Sequence, residues 1–293
     1  MPIYFVFLLV VAIWSTTPLA IQWSTLGSSF SFGVSARMFI GLIICLIILL
    51  IKQQKLNTSR IAITNYIYAG LGVFITMSLV YFSSQSVPSG IISVIFGLTP
   101  IITGVFALLL LQESFFKIHK ILALLLGLLG LIIIFGHTFK ISHEMILGLI
   151  SLTFAMAFQS FISVKLKQIN APISTLETTT GALIVSLPLF LLTWLLTHGE
   201  IPTVSLQAAL SIGYLAIFGS VIGFMSYYYL IKHTSVQVVG IVPLITPIFA
   251  LLLGANLNNE TLTNQQLIGV ILVLFGLAIY EYGNKLWTRK SLN

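Results

Sequence analysis

Apolar runs of about twenty residues follow one another through almost the whole chain, separated by short polar connections. That is the length a helix needs to cross the hydrocarbon of a bilayer. Inside lipid every backbone donor and acceptor must be satisfied within the protein, which leaves only helices and closed barrels. The runs are continuous and lack the alternation of a barrel strand, so they read as helices. Composition agrees: 58% of residues are hydrophobic and 6% charged, with a mean hydropathy of +1.11. A soluble domain needs about 25% charged residues to cover its surface. The expected class is an all-α integral membrane protein.

Ten spans are expected, near residues 3–23, 31–51, 64–84, 89–111, 118–136, 145–165, 175–196, 206–231, 236–256 and 266–284. Turn residues mark several connections, as in Leu26-Gly27-Ser28-Ser29 and Val87-Pro88-Ser89-Gly90. The first run has no Lys or Arg before it and is too long for a signal sequence, so it reads as the first span. An even number of spans places both termini on one side. With that side cytoplasmic, Lys52, Lys55, Arg60, Lys117, Lys120, Lys165, Lys167, Lys232, Lys285, Arg289 and Lys290 all face inward. Lys140 faces outward, and Arg37 falls within a span. Basic residues collect on the cytoplasmic side of membrane proteins, and adding or dropping one span would scatter these charges. The net charge of +7 therefore speaks for topology rather than for a nucleic-acid partner.

The chain also reads as two versions of one layout. Leu98-Thr99-Pro100, an apolar run and Gln112-Glu113 answer to Ile245-Thr246-Pro247, an apolar run and Asn259-Glu260. The prolines, the glutamates, and Tyr81 with Tyr228 share a single offset, and Gly130 and Gly276 follow one residue out of step. Residues 1–137 and 144–285 are accordingly expected to be two five-helix repeats, followed by a cytoplasmic basic tail over 286–293. Five spans is an odd number, so the second repeat would enter the membrane upside down. Many secondary transporters are built from such inverted repeats, with substrate near the midplane.

Trp14-Ser15 in the first span, Ala36-Arg37-Met38-Phe39 early in the second, and Tyr81 followed by Ser89-Gly90-Ile91-Ile92 before Pro100 add to the paired signatures. In order and spacing the chain resembles the EamA-type branch of the drug/metabolite transporter superfamily, over nearly its whole length. The family often has Gly after the Trp, where Ser15 stands here. The resemblance implies ten helices around a central cavity lined mainly by spans 1, 3, 4, 6, 8 and 9. Spans 5 and 10 would lie at the periphery, where related proteins form homodimers. It also implies a cell (inner) membrane transporter of small organic metabolites working by alternating access, with amino acids a frequent cargo. Import and export stay open, as does proton coupling.

Candidate binding residues are the aromatic and polar side chains of those spans: Trp14, Ser15 and Thr17; Tyr81; Phe96; Gln159 and Ser163; Tyr227 and Tyr228; and Gln237. Amphipathic rings with a few amides and hydroxyls suit a small, partly apolar solute. Arg37 is a permanent charge about two turns inside its span, placed to hold carbonyls or to meet an anionic group. Pro100 and Pro247 sit midway along their spans and remove a backbone donor, which suits a hinge or a shaped cavity. Glu177, near a cytoplasmic end, is the candidate for proton coupling if buried, and an interfacial residue if not. Glu113 and Glu260 end their spans and suit capping.

Other classes fit less well. A membrane-embedded enzyme would need clustered acids, histidines or a nucleophile beside a base, and the titratable groups here gather at the membrane surface. No spacing of His or acids suggests a metal site, and no cofactor is expected. The single cysteine, Cys45, allows no disulfide. A flippase of a lipid-linked substrate is the nearest alternative.

Overall fold

A computed structural model describes residues 2–112, 118–136, 142–197, 199–257 and 263–290. Among these, all regular structure is helical: α1 (Ile3–Ser24), α2 (Phe30–Ile51), α3 (Arg60–Ser83), α4 (Ser89–Phe96), α5 (Thr99–Leu111), α6 (Ile118–Gly136), α7 (His143–Ile169), α8 (Thr175–Thr197), α9 (Leu206–Tyr214), α10 (Gly223–His233), α11 (Val236–Leu257) and α12 (Asn264–Lys290). A π-helical stretch, Leu215–Ile222, joins α9 to α10. Among the described residues, seven helical stretches are long and apolar enough to cross a bilayer: α1, α2, α3, α4 with α5, α7, α8, and α9 through α10. Helices α6, α11 and α12 complete the bundle.

Two of the expected spans are interrupted. The span at 89–111 breaks at Gly97-Leu98, one turn before Pro100, where the helix loses a donor. The span at 206–231 widens into the π turn. At the other end, α12 continues through Lys290, into the segment expected as a tail. Serines open several helices: Ser29, Ser59, Ser142 and Ser205 each accept a hydrogen bond from the backbone N–H three residues on. Those caps satisfy donors that the first helical turn leaves unpaired.

Hydrogen bonds between connections define the two ends of the bundle. At one end Gln54 meets Ser174 and Glu177, Gln168 reaches the Leu110 carbonyl, and Lys232 reaches the Ile173 carbonyl. At the other, Gln22 donates to the Val87 carbonyl, Ser86 to that of Glu144, and the Ser31 and Thr197 hydroxyls pair. Within the bundle α3 is wedged between α7 and α8. A Cβ on Gly72 would meet Ile162 at 2.8 Å, and one on Gly70 would meet Val185 at 2.5 Å. Small residues bring helix backbones together in lipid, where packing replaces the hydrophobic effect as the force between helices. Helices α6 and α12 lie along each other as a pair.

Candidate functional site

Near the helix interruptions the bundle holds a cavity of about 100 Å³, room for several waters or one small organic molecule. Its wall comes from α1, α3, α4, α7, the π turn with α10, and α11, with Arg37 reaching in from α2.

The wall at α4 and α11 is built the same way twice. Pro100 has no N–H for the carbonyl of Phe96, and Pro247 has none for that of Pro243. In each case the threonine before the proline fills the gap. Thr99 Oγ1 donates to the Phe96 carbonyl, and Thr246 Oγ1 donates to the Pro243 carbonyl at 3.3 Å. Phe96, Pro243 and Thr246 line the cavity, while Pro100 and Pro247 are buried behind it. An unmet carbonyl at this depth has no water to turn to. Thr99→Val keeps the shape and removes the donor, so it should lower stability by about 1–2 kcal/mol, with Thr99→Ser close to wild type. Thermal denaturation of the detergent-solubilised protein measures this, and equal melting of all three would show that the carbonyl is otherwise satisfied.

On the facing wall the rings of Trp14 and Tyr227 lie 5.1 Å apart between centroids, and those of Tyr227 and Tyr228 5.7 Å apart. Ser163 Oγ donates to the Gln159 carbonyl at 2.7 Å, so the Tyr227 hydroxyl is the donor in its bond to Ser163. That bond fixes the edge of the aromatic wall.

Arg37 is 1% exposed. Its Nε donates to Ser220 Oγ at 2.8 Å, and the guanidinium carbon lies 6.0 Å from the centre of the Phe224 ring. Its Nη1 has no hydrogen-bond partner among the described residues, and no carboxylate stands among the described lining residues. The π turn makes room for it: a Cβ on Gly219 would sit 2.7 Å from Nη2. Single π turns within α-helices recur at functional sites.

Seven residues singled out from the sequence therefore share this cavity: Trp14, Thr17, Arg37, Phe96, Gln159, Tyr227 and Tyr228. Ser15 instead donates to the Val11 carbonyl of its own helix, and Ser163 stands behind Tyr227. Tyr81 is buried beside Gly33 and off the wall, so the offset it shares with Tyr228 does not make the two a pair in the cavity. The side chain of Gln237 lies outside the described residues, as do Glu113 and Glu260. Thr76, Ser93, Phe224 and Thr246 line the wall without having been singled out. The Thr-Pro dipeptides were a readable signal for Thr246; nothing in the sequence marked the π turn.

Glu177 lies off the cavity, in the first turn of α8. Ser174 and Glu177 form a capping box at the start of α8: the Glu177 N–H donates to Ser174 Oγ at 3.2 Å, and Glu177 Oε2 accepts from the Ser174 N–H at 2.8 Å. The carboxylate also accepts from the Asn57 N–H and from Gln54 Nε2, both at 3.1 Å, tying the α2–α3 connection to α8. The Ser-x-x-Glu spacing is the sequence signature of such a cap. Glu177→Ala would strand three donors in a site where the residue is 7% exposed, costing about 2–4 kcal/mol. The check is chemical denaturation or thermal melting, and a change under half that size would mean that water replaces the carboxylate.

A smaller pocket, lined by Asn65, Lys167, Thr178 and Lys232 among others, lies towards the end of the bundle that carries Glu177. Tyr228 borders both it and the central cavity. The two lysines hold helix-end carbonyls, Lys167 those of Ile231 and Thr234 and Lys232 that of Ile173.

A helical bundle of membrane-crossing length around a small, mostly apolar cavity is the architecture of a membrane carrier. The EamA-like transporter family model matches residues 1–136 and again 146–281, and the chain belongs to that family. Among its relatives is the uncharacterized inner membrane transporter YedA of Escherichia coli, 27% identical over 217 residues, covering 71% of this chain and 67% of YedA. The uncharacterized transporter YoaV of Bacillus subtilis is 23% identical over 82% of this chain and 83% of its own. Protein PecM of Dickeya dadantii is 25% identical over 72% and 70%. One solved crystal structure superposes with a TM-score of 0.75 over 99% of this chain and 98% of that one at 17% identity, which shows a shared fold. The protein is a membrane transporter, not placed by these relatives with any substrate.

Proposed function

We propose that the chain is a secondary transporter that carries a small organic metabolite through the central cavity by alternating access. The observation that carries the reading is the cavity itself, walled at the interruptions of two spans, the α4–α5 break and the π turn. Ten spans in two inverted repeats would supply the rocking halves. Support comes from the double family match, from α6, α11 and α12 beside the seven long apolar stretches, and from the twin Thr-Pro sites, of which the first coincides with the α4–α5 break while α11 runs on through the second. Trp14, Thr17, Phe96, Gln159, Tyr227 and Tyr228 would contact the solute, with Ser163 positioning Tyr227 and with Pro100 and Pro247 as the hinges. Glu177 serves this reading as a lock on the α2–α3 connection.

On this reading the protein sits in the inner membrane with both termini facing the cytoplasm. Lys52, Lys55, Arg60, Lys165, Lys167 and Lys232 lie at helix ends or connections of one end of the bundle, and the positive-inside rule supports assigning that end to the cytoplasm. A homodimer across the outer faces of α6 and α12, where Leu125, Leu129, Ile271 and Phe275 are exposed, belongs to the same reading.

The test is uptake of labelled amino acids and related metabolites into liposomes holding the pure protein, with and without a pH gradient. Saturable uptake of one class establishes the transporter, and a response to the gradient establishes coupling. Trp14→Ala should cut that uptake at least about tenfold, since it removes a partly buried aromatic surface together with a ring contact that contributes roughly 1 kcal/mol beyond the area it buries. Wild-type uptake by correctly inserted Trp14→Ala would place the substrate elsewhere.

A further inference from the structure

We infer that the cavity takes a small organic anion, a carboxylate with an apolar body, whose charged group binds Arg37. This deepens the transport reading and rests on it.

Arg37 carries a permanent charge in a site where it is 1% exposed, yet no acid faces it among the described residues. Buried charges in membrane proteins are paired or face a functional cavity, and an unpaired one is costly. Here the guanidinium lines the cavity, Ser220 takes one of its donors, and Nη1 is left without a partner. The cavity has two more unpartnered groups that donate, the hydroxyls of Thr76 and Ser93. Spare donors lining the same cavity as one positive charge are complementary to carboxylate oxygens, and a charge-assisted bond is about twice as strong as a neutral one. The rest of the lining is mostly apolar and aromatic, with Trp14, Phe96 and Tyr227 suited to a hydrocarbon body. No described lining residue is an acid that would receive an ammonium group, so the site favours a simple carboxylate over the amino acid of the same skeleton.

The geometry is also set up to keep the guanidinium in place. Gly219 is the position at which any larger residue would push Nη2 aside, and the π turn is what brings Gly219 and Ser220 to bear on it.

The test reads binding. Phenylacetate, phenylacetamide, phenethylamine and phenylalanine share a ring and differ in charge, and each is titrated against the purified protein by thermal stabilisation and tryptophan fluorescence. Phenylacetate should bind at least about tenfold more tightly than the other three, the size expected of one charge-assisted bond in a buried site. Arg37→Met should erase that preference while melting at or above the wild-type temperature, because no buried charge is stranded when the guanidinium goes and the Ser220 hydroxyl keeps its bond to Met38 Sδ. Gly219→Ala should fold and lose most of the preference by displacing Nη2. Equal or tighter binding of the amide, the amine or phenylalanine overturns the inference, as does the absence of any stabilisation by phenylacetate. Melting of Arg37→Met several degrees below wild type would make Arg37 a structural pin and would also overturn it. Transport itself is read separately in liposomes, so the two readings fail independently.

Discussion

Gly130→Val is expected to leave no folded protein in the membrane. A Cβ at Gly130 would lie 2.6 Å from the carbonyl oxygen of Gly269 and 3.0 Å from the backbone nitrogen of Val273. These are backbone atoms of α12 and cannot rotate away. The matching contact lies two turns along the seam, where a Cβ on Gly276 would meet the Ala123 carbonyl at 2.8 Å. Helices α6 and α12 therefore touch backbone to backbone at two levels, and any side chain there must drive them apart. Overpacking a well-packed core costs about 1–3 kcal/mol, and separating two helices along their length costs more, enough to exceed the margin of a typical fold. Ile150→Val on α7, at a position 48% exposed, is the control and should be silent. Membrane yield and monodispersity in detergent separate the two, and a well-folded Gly130→Val would mean that the seam is looser than these distances require.

Tyr228→Ala should abolish saturable transport in a protein that still inserts and folds. Tyr228 forms part of the aromatic wall with Tyr227 and stands between the central cavity and the smaller pocket beside Lys167 and Lys232. Removing the ring joins the two spaces, and a carrier whose cavity opens to one side in every state cannot alternate. The expected result is loss of concentrative uptake with a non-saturable leak, whereas Tyr228→Phe, which keeps the ring, should retain most of the rate. Loss of binding area alone would weaken affinity by about 2–3 kcal/mol and leave the maximal rate intact. The maximal rate, read apart from the half-saturation concentration, therefore decides between a gate and a contact. Unchanged uptake by Tyr228→Ala would remove the residue from the pathway altogether.

Much of the candidate site was legible because it rests on residue types that are rare at their position. An arginine two turns inside a span, a tryptophan on an apolar helix and a run of three tyrosines each stand out against leucine and valine. Glu177 stood out for the same reason, and there the local pattern carried more meaning than the rarity: Ser174-x-x-Glu177 is a capping box, and the carboxylate spends its lone pairs on backbone donors. Tyr81 and Tyr228 show where repetition misleads. Equal spacing along the chain fixes depth in a helix, but not the direction in which the side chain points.

What the chain determined by itself was the membrane class, the helices and the weak points within them. These depend on local quantities: the length of an apolar run, the missing N–H of a proline, the serine before a first turn. Only the tertiary structure decided which faces meet. The π turn at Leu215–Ile222 has no proline to announce it. It brings Gly219 and Ser220 against Arg37 across nearly two hundred residues of sequence, and the energy that selects that arrangement is spread over the whole packed bundle. The unpartnered Nη1 belongs to the same class of fact, because a missing partner is a property of every neighbour at once.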